Sequence, residues 1–274
     1  SEPNHGADPT RPYNMTDLAD LVTKHGCEFG LGSDGDGDRI GAVTETGAFV
    51  YPDRLVALLV GDVLADLGES ASVNERTVIY DVKCSMNVES AILAAGGTPL
   101  MARTGHSFMK RALAERPGCR FAAEMSGHLF PADRGWYGFD CSLYNAARLV
   151  ELWSRQAPEG PTFGEALDAV APNLPTTGEC KVPCAEEQKE DAVAGITAAF
   201  ADLPHSTVDG VRVRFEDENG HLQGWYLARR SNTEAVLVMR AEARSEEGLE
   251  RIRAQIESRV ADLIDVGGFL DAFA

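Results

Sequence analysis

With 274 residues, 44% of them hydrophobic and 25% charged, the chain has the make-up of a soluble globular protein with room for more than one domain. Its formal net charge of -18 excludes general binding to nucleic acid, whose phosphates need a basic surface, and disfavours an anionic membrane surface. No apolar run approaches the ~18 residues of a membrane span and no signal-type stretch opens the chain, so a cytoplasmic protein with reduced thiols is expected.

Residues 1–14 hold three prolines without periodicity and read as extended loop. Thr16 and Asp17 then cap an amphipathic helix with Leu18, Leu21 and Val22 on one face, ending near Gly26. Residues 27–32 read as a short buried strand. That strand feeds directly into Ser33-Asp34-Gly35-Asp36-Gly37-Asp38-Arg39, where three carboxylates alternate with glycine and an arginine closes the run. Like charges this close call for a cation among them, and a hard divalent ion such as Mg²⁺ or Ca²⁺ prefers carboxylate oxygens. The glycines let alternate side chains turn towards one centre, and Arg39 adds a fixed cation suited to phosphate. The bland reading is a solvated Asp-Gly turn. Residues 40–44 and 48–51 read as a hairpin.

Pro52 opens a helix to about residue 67, with Leu55, Leu58, Leu59 and Val63 inward. Strands at 77–81, 99–102 and 120–123 alternate with helices at 88–95 and 107–115, the signature of a mostly parallel α/β sheet. Each strand ends in polar residues: Asp81-Val82-Lys83, Arg103-Thr104-Gly105-His106 and Glu124-Met125-Ser126-Gly127-His128. Ligands bind at such carboxyl ends. In the last of these turns, Glu124 and Ser126 suit sugar hydroxyls and His128 suits proton transfer. Helices follow at 143–156 and 163–170, and the proline-bearing stretch 172–178 is the best boundary in the chain. Beyond it a strand at 179–182, a helix at 186–200, several strands between 207 and 241 and a helix at 245–264 indicate an α+β domain. There, Arg229, Ser231, Asn232, Thr233 and Arg240 gather guanidinium, hydroxyl and amide donors around one turn, an inventory for a phosphate. The six cysteines show no zinc spacing.

Five motifs in order, Asp34-Gly-Asp-Gly-Asp-Arg39, Asp81-Val-Lys83-Cys84, Thr104-Gly-His106-Ser107, Glu124-Met-Ser-Gly-His128 and Arg229-x-Ser-Asn-Thr233 with Arg240, resemble the α-D-phosphohexomutase superfamily, and most closely its bacterial phosphomannomutase/phosphoglucomutase branch. The resemblance runs from near Pro3 to the C-terminus. It implies an α/β fold: a partial α/β domain carrying the metal loop (1–50), a complete mixed or parallel-sheet α/β domain that binds the sugar (51–172), and a C-terminal α+β domain that binds phosphate (173–274). It implies an isomerase that interconverts hexose 1-phosphate and hexose 6-phosphate through a glucose or mannose 1,6-bisphosphate. Asp34, Asp36 and Asp38 would hold Mg²⁺, with Arg39 beside the reacting phosphate. Lys83, His106 and His128 would line the catalytic cleft, either histidine assisting proton transfer. Glu124 and Ser126 would hold sugar hydroxyls, and Arg229, Ser231, Asn232, Thr233 and Arg240 the phosphate that stays in place.

The family's nucleophilic phosphoserine sits on a Ser-His loop in a first domain, and no such loop occurs here; Ser107 follows a histidine but belongs to the third-domain motif. The chain, which begins at Ser1, is therefore expected to be a fragment, inactive without an N-terminal phosphoserine-bearing segment. Phosphoglucosamine mutases usually carry Ala in place of Gly37 and Gln in place of Met125, so the residues here lean towards hexoses without the amino group. Ala123 before the Glu and Glu234-Ala235 after the phosphate turn are smaller departures. Two rival readings are a non-catalytic sugar-phosphate binder and a calcium module, in which Asp34, Asp36, Asp38 and Glu45 take EF-hand ligand positions, although Arg39 stands where a glycine belongs.

Overall fold

The structure is a computed structural model that describes residues 5–65, 67–157 and 159–273; the first residues of the predicted N-terminal loop, Pro3 included, lie outside them. Its contacts divide the chain into two compact units, 1–172 and 173–274.

In the first unit a 3-10 turn, Pro12–Met15, runs into α1 (Thr16–His25). Met15, and not Thr16, stands before the first helical residue, because the preceding turn already fixes the entry; Thr16 Oγ1 donates to the Tyr13 carbonyl instead of capping. Only Val22 of the expected apolar face is fully buried, and Leu21 is exposed. The helix closes with a Schellman pair: the Gly26 N–H reaches the Thr23 carbonyl and the Cys27 N–H the Val22 carbonyl. That closure uses Cys27 as part of the cap, so β1 begins later than expected, at Phe29–Ser33, and is only partly buried. β1 pairs antiparallel with β2 (Ile40–Thr44), and β2 with β3 (Phe49–Val50), in register Ser33↔Ile40 and Ala42↔Val50. Residues 34–39 are thus the loop of a hairpin.

α2 (Pro52–Ala65), α3 (Val73–Arg76) and β4 (Thr77–Asp81) follow, then α4 (Met86–Ala94), β5 (Thr98–Ala102), α5 (His106–Ala114) and β6 (Phe121–Ala123). β4 pairs parallel with both β5 and β6, as the strand–helix alternation requires. A strand missing from the sequence reading, β7 (Leu129–Pro131), turns back antiparallel on β6 and completes a sheet of order β5-β4-β6-β7. Its three residues, ending in proline, are too short to show a period. α6 (Ser142–Ser154) and α7 (Phe163–Val170) end the unit. Leu55, Leu59 and Val63 of α2 pack with Val78, Tyr80, Phe121 and Leu149 in one apolar core.

The second unit is a five-stranded antiparallel sheet of order β8-β12-β11-β10-β9: β8 (Cys180–Pro183), β9 (His205–Ser206), β10 (Val211–Glu216), β11 (Leu222–Arg230) and β12 (Val236–Ala243). The helix expected over 186–200 is a 3-10 turn, Glu186–Gln188, followed by α8 (Lys189–Ala199). α9 (Glu246–Val260), capped by the Ser245 hydroxyl, and the short α10 (Gly267–Leu270) complete it. Tyr226, Ala228, Met239 and Ala241 face the core with Ile196, Phe200, Ile252 and Ile256 of the helices. Strand alternation therefore sends Trp225, Arg229, Arg240 and Glu242 to the other face of the sheet.

Candidate active site

The acidic loop is tied together by its first carboxylate. Oδ1 of Asp34 accepts the backbone N–H groups of Gly37, Asp38 and Arg39, each at 3.1 Å, and Oδ2 accepts Nε of Arg39 at 2.6 Å. Burial pushes the Asp34 carboxyl up, but the Arg39 backbone N–H and guanidinium outweigh it and hold it at about 2. Asp38 moves the other way: burial and the adjoining Asp34 and Asp36 carboxylates raise it, although His128 opposes them. Asp36 is exposed, and one carboxylate oxygen from each of the three aspartates lies within 4.8 Å of the others. Oxygen-only donors of one sign, one of them pressed towards protonation by the rest, fit a hard divalent cation such as Mg²⁺. Gly37 sits at φ 81, a conformation where alanine would be strained, so the glycine noted in the sequence is required by this loop's path. Arg39 also reaches Oδ1 of Asp8 at 3.2 Å.

The ends of β4, β5 and β6 meet as the alternation predicts, and a buried aspartate joins them. Asp81 accepts the Thr104 hydroxyl at 2.9 Å, the Cys84 thiol at 3.0 Å and the Met125 N–H at 3.2 Å. Glu124 is buried beside it and accepts the Gly105 N–H at 2.5 Å. Burial, then the Asp81 charge, raise the Glu124 carboxyl to about 7 against the opposing pull of the Gly105 N–H, His128 and Lys83. Lys83 and Ser126 are half-buried and His106 is exposed.

Backbone stitches this edge to the acidic loop. Arg39 and His128 form an antiparallel bridge, and the Ile40 N–H donates to the Gly127 carbonyl at 3.1 Å. Gly127 has φ 91, and a Cβ there would stand 2.8 Å from the Ile40 carbonyl, so only glycine lets the two segments close up. His128 Nδ1 consequently lies 3.7 Å from Oδ2 of Asp38 and 3.0 Å from Oδ2 of Asp140. Burial would lower the imidazole, but the Asp140 hydrogen bond and the Asp38 and Glu124 charges raise it overall. Lys110 Nζ sits 2.6 Å from Oδ1 of Asp140. Burial works against ionisation of Asp140, yet His128 and Lys110 hold it at about 2.

In the second unit Arg229, Ser231, Asn232 and Thr233 occupy the end of β11 and the turn after it, and Arg240 lies on β12, paired with Leu227. Arg229 donates through Nε to Asp209 at 2.8 Å, and Arg240 approaches Glu242 at 3.4 Å. Ser231 Oγ accepts the N–H groups of Thr233 and Glu234, at 3.3 and 3.2 Å, while Asn232 and Thr233 are exposed.

Three domains of one family match the chain: Phosphoglucomutase/phosphomannomutase alpha/beta/alpha domain II over residues 3–47, alpha/beta/alpha domain III over 51–172 and the C-terminal domain over 179–259. The chain belongs to the α-D-phosphohexomutase superfamily. It is 41% identical over 253 residues to a phosphomannomutase/phosphoglucomutase of Pseudomonas putida, covering 92% of the chain and 51% of that protein. Against a phosphoglucomutase of Neisseria meningitidis serogroup A the figures are 38% over 260 residues, 93% and 52%. The crystal structure of a phosphoglucomutase/phosphomannomutase family protein from Burkholderia thailandensis aligns with a TM-score of 0.78 at 37% identity, covering 94% of this chain and 52% of that one. The chain thus spans about half the length of the curated relatives it matches.

Within this phosphohexomutase chain, several residues that shape the site lie outside the residues singled out from sequence. Asp140 and Lys110 hold His128; Lys189, buried, donates to the Ser231 and Glu234 carbonyls at 2.8 and 3.0 Å and so supports the arginine turn. The only hint of Asp140 is a polar residue just ahead of a helix, and Lys189 hides in a run of charged residues. The EF-hand reading fails: strands β1 and β2 flank the acidic loop, and Glu45 accepts the Gly164 N–H at the start of α7, 2.9 Å away. No helix among the described residues is long and apolar enough to cross a membrane.

Proposed function

We propose that the chain is the metal-, sugar- and phosphate-binding part of a phosphomannomutase/phosphoglucomutase, interconverting hexose 1-phosphate and hexose 6-phosphate together with a phosphoserine-bearing segment. The observation that carries this reading is the Arg39↔His128 bridge, which brings the three-aspartate loop and the Glu124–His128 turn to one place. Asp34, Asp36 and Asp38 would hold Mg²⁺, which when bound draws off charge from the phosphoryl group and sharpens its electrophilicity. Arg39, its guanidinium fixed by Asp34 and Asp8, presents a preset cation to the same group. Glu124, buried and aimed by Gly105, binds sugar hydroxyls, with Ser126 beside it on the turn. His128 takes the proton of the attacking hydroxyl. Arg229, Arg240 and the Ser231–Thr233 turn hold the phosphate that is not in transfer, and glucose or mannose 1,6-bisphosphate is the intermediate. The six free thiols suit a cytoplasmic setting.

The test joins residues 1–274 to the N-terminal half of the Pseudomonas putida relative and follows glucose 1-phosphate and mannose 1-phosphate turnover. Activity in the joined protein and none in 1–274 by itself is the expected result. Robust turnover by 1–274 alone would sink the requirement for a separate phosphoserine segment. Bisphosphate binding without turnover in the joined protein would favour a non-catalytic binder.

A further inference from the structure

Partners with fixed hydrogen-bonding roles reveal which nitrogen of a histidine carries its proton. A lysine ammonium can only donate, and an ionised carboxylate can only accept. His106 and Lys110 stand one turn apart on α5, with His106 Nδ1 3.4 Å from Lys110 Nζ. That nitrogen must therefore offer its lone pair, so the neutral His106 ring carries its proton on Nε2. His128 meets the opposite partner. Its Nδ1 faces Oδ2 of Asp140 at 3.0 Å and, farther off, Oδ2 of Asp38 at 3.7 Å. The hydrogen-bonded partner, the Asp140 carboxylate, only accepts, so the neutral His128 ring is protonated on Nδ1 and keeps its lone pair on Nε2. The two imidazoles are neighbours, with centroids 5.9 Å apart.

One ion pair serves both rings, since Lys110 Nζ also lies 2.6 Å from Oδ1 of Asp140, whose side chain is 5% exposed. The geometry points to Lys110 and Asp140 as a positioning pair that sets the two histidines in opposite tautomers, His106 as a hydrogen-bond donor through Nε2 and His128 as the proton acceptor through Nε2. The consequence for turnover rests on the function proposed above; the tautomers themselves do not. In the half-reaction that phosphorylates the sugar, the hydroxyl oxygen bonds to phosphorus, its proton passes to His128 Nε2, and the donor phosphoester oxygen leaves with the P–O electron pair. The return step gives the proton back from the same nitrogen. His106, with no lone pair on Nε2, can stabilise an oxygen there but cannot take its proton.

The test is two-dimensional NMR on residues 1–274 carrying ¹⁵N-labelled histidine, at a pH where both rings are neutral, with His106→Gln and His128→Gln for assignment. His128 is expected to show a protonated Nδ1 and a bare Nε2, and His106 the reverse. In Asp140→Asn the amide oxygen must turn to Lys110, which only donates, so the amide NH₂ faces His128 and drives its proton to Nε2. Lys110→Met leaves His128 as it was and lets His106 average between tautomers, a second reading that holds even if Asp140→Asn does not fold. The same tautomer on both rings of the unsubstituted chain, or a His128 unmoved by Asp140→Asn in a folded protein, overturns the assignment. In the joined full-length protein, Asp140→Asn should lower kcat about 100-fold or more with KM nearly unchanged. An inverted tautomer with unaltered kcat would keep the positioning pair and strike out the role of His128 in the proposed reaction.

Discussion

In the first unit, carboxylates crowd one another: Asp34, Asp36 and Asp38 converge on one loop, and Asp81 and Glu124 lie side by side beneath the sheet edge. In the second unit, each candidate phosphate ligand that carries charge already has an opposite charge beside it, Arg229 with Asp209 and Arg240 with Glu242. The contrast is between carboxylates left to repel one another and guanidiniums already compensated. The acidic loop carries excess negative charge that a cation would relieve, whereas the arginine turn holds guanidiniums in place with carboxylates that a phosphate would join or displace. Backbone chemistry follows the same division. Asp34 binds three N–H groups of its own loop, while Lys189 binds two carbonyls under the turn.

The largest expected effect separates the loop's anchor from its ligands. Asp34→Ala leaves three N–H groups and the Arg39 guanidinium without their acceptor, and should cost about 3 kcal/mol in urea unfolding of the metal-free protein. The low end of the usual range applies because Arg39 keeps Asp8 and is partly exposed. Asp36→Ala, at an exposed position, should leave metal-free stability within about 0.5 kcal/mol and remove only the stabilisation by added Mg²⁺. Equal metal-free stability of the two variants would mean that Asp34 does not organise the loop.

Next comes the crowded pair under the sheet edge. Glu124 titrates at about 7 in the folded chain against an ordinary 4.5, so the folded state binds its proton more tightly than the unfolded one. Stability contributed through this group is therefore present below about pH 4.5 and is lost as pH rises to about 7. Glu124→Gln should abolish that decline, and the gap between the two proteins should widen by on the order of 2–3 kcal/mol across the window. Asp34 and Asp140, both held at about 2, lose their contribution only as the pH falls below that window, so they do not mask the effect. Parallel stability–pH curves for the two proteins would show that Asp81 and burial do not burden Glu124.

The legible and illegible parts of the molecule follow from how far apart partners lie in the chain. The Asp34 carboxylate could be read directly because the N–H groups and guanidinium it accepts all fall within the next five positions, and the strand β4 matched its expected bounds because Thr77–Asp81 sets three apolar residues between polar ends. The convergence of the Asp81, Thr104 and Glu124 loops followed from parallel topology. The grip of Asp140 on His128 depends on β7 folding back on β6, and that hairpin leaves no periodic trace in three residues. The Arg229–Asp209 and Lys189–Ser231 contacts depend on the pairing order of an antiparallel sheet, which strand propensity does not specify. Arg229 could be singled out as a candidate phosphate ligand from its neighbours; its carboxylate partner could not.

That partner sets the smallest of the expected effects. Arg229→Lys keeps a positive charge for Asp209, so the buried pair survives and the sheet should fold normally. What it loses is the planar fork that can hold a carboxylate on one side and a phosphate on another. A phosphate held away from the reacting bond contributes alike before and during transfer, so its loss belongs in binding more than in the chemical step. In the joined full-length protein, KM for glucose 1-phosphate should rise about tenfold, or about 1.4 kcal/mol, with kcat changed by less than about threefold. The opposite split, a lowered kcat at constant KM, would place Arg229 at the transferring phosphate and erase the proposed distinction between a unit for the moving phosphoryl group and one for the stationary phosphate.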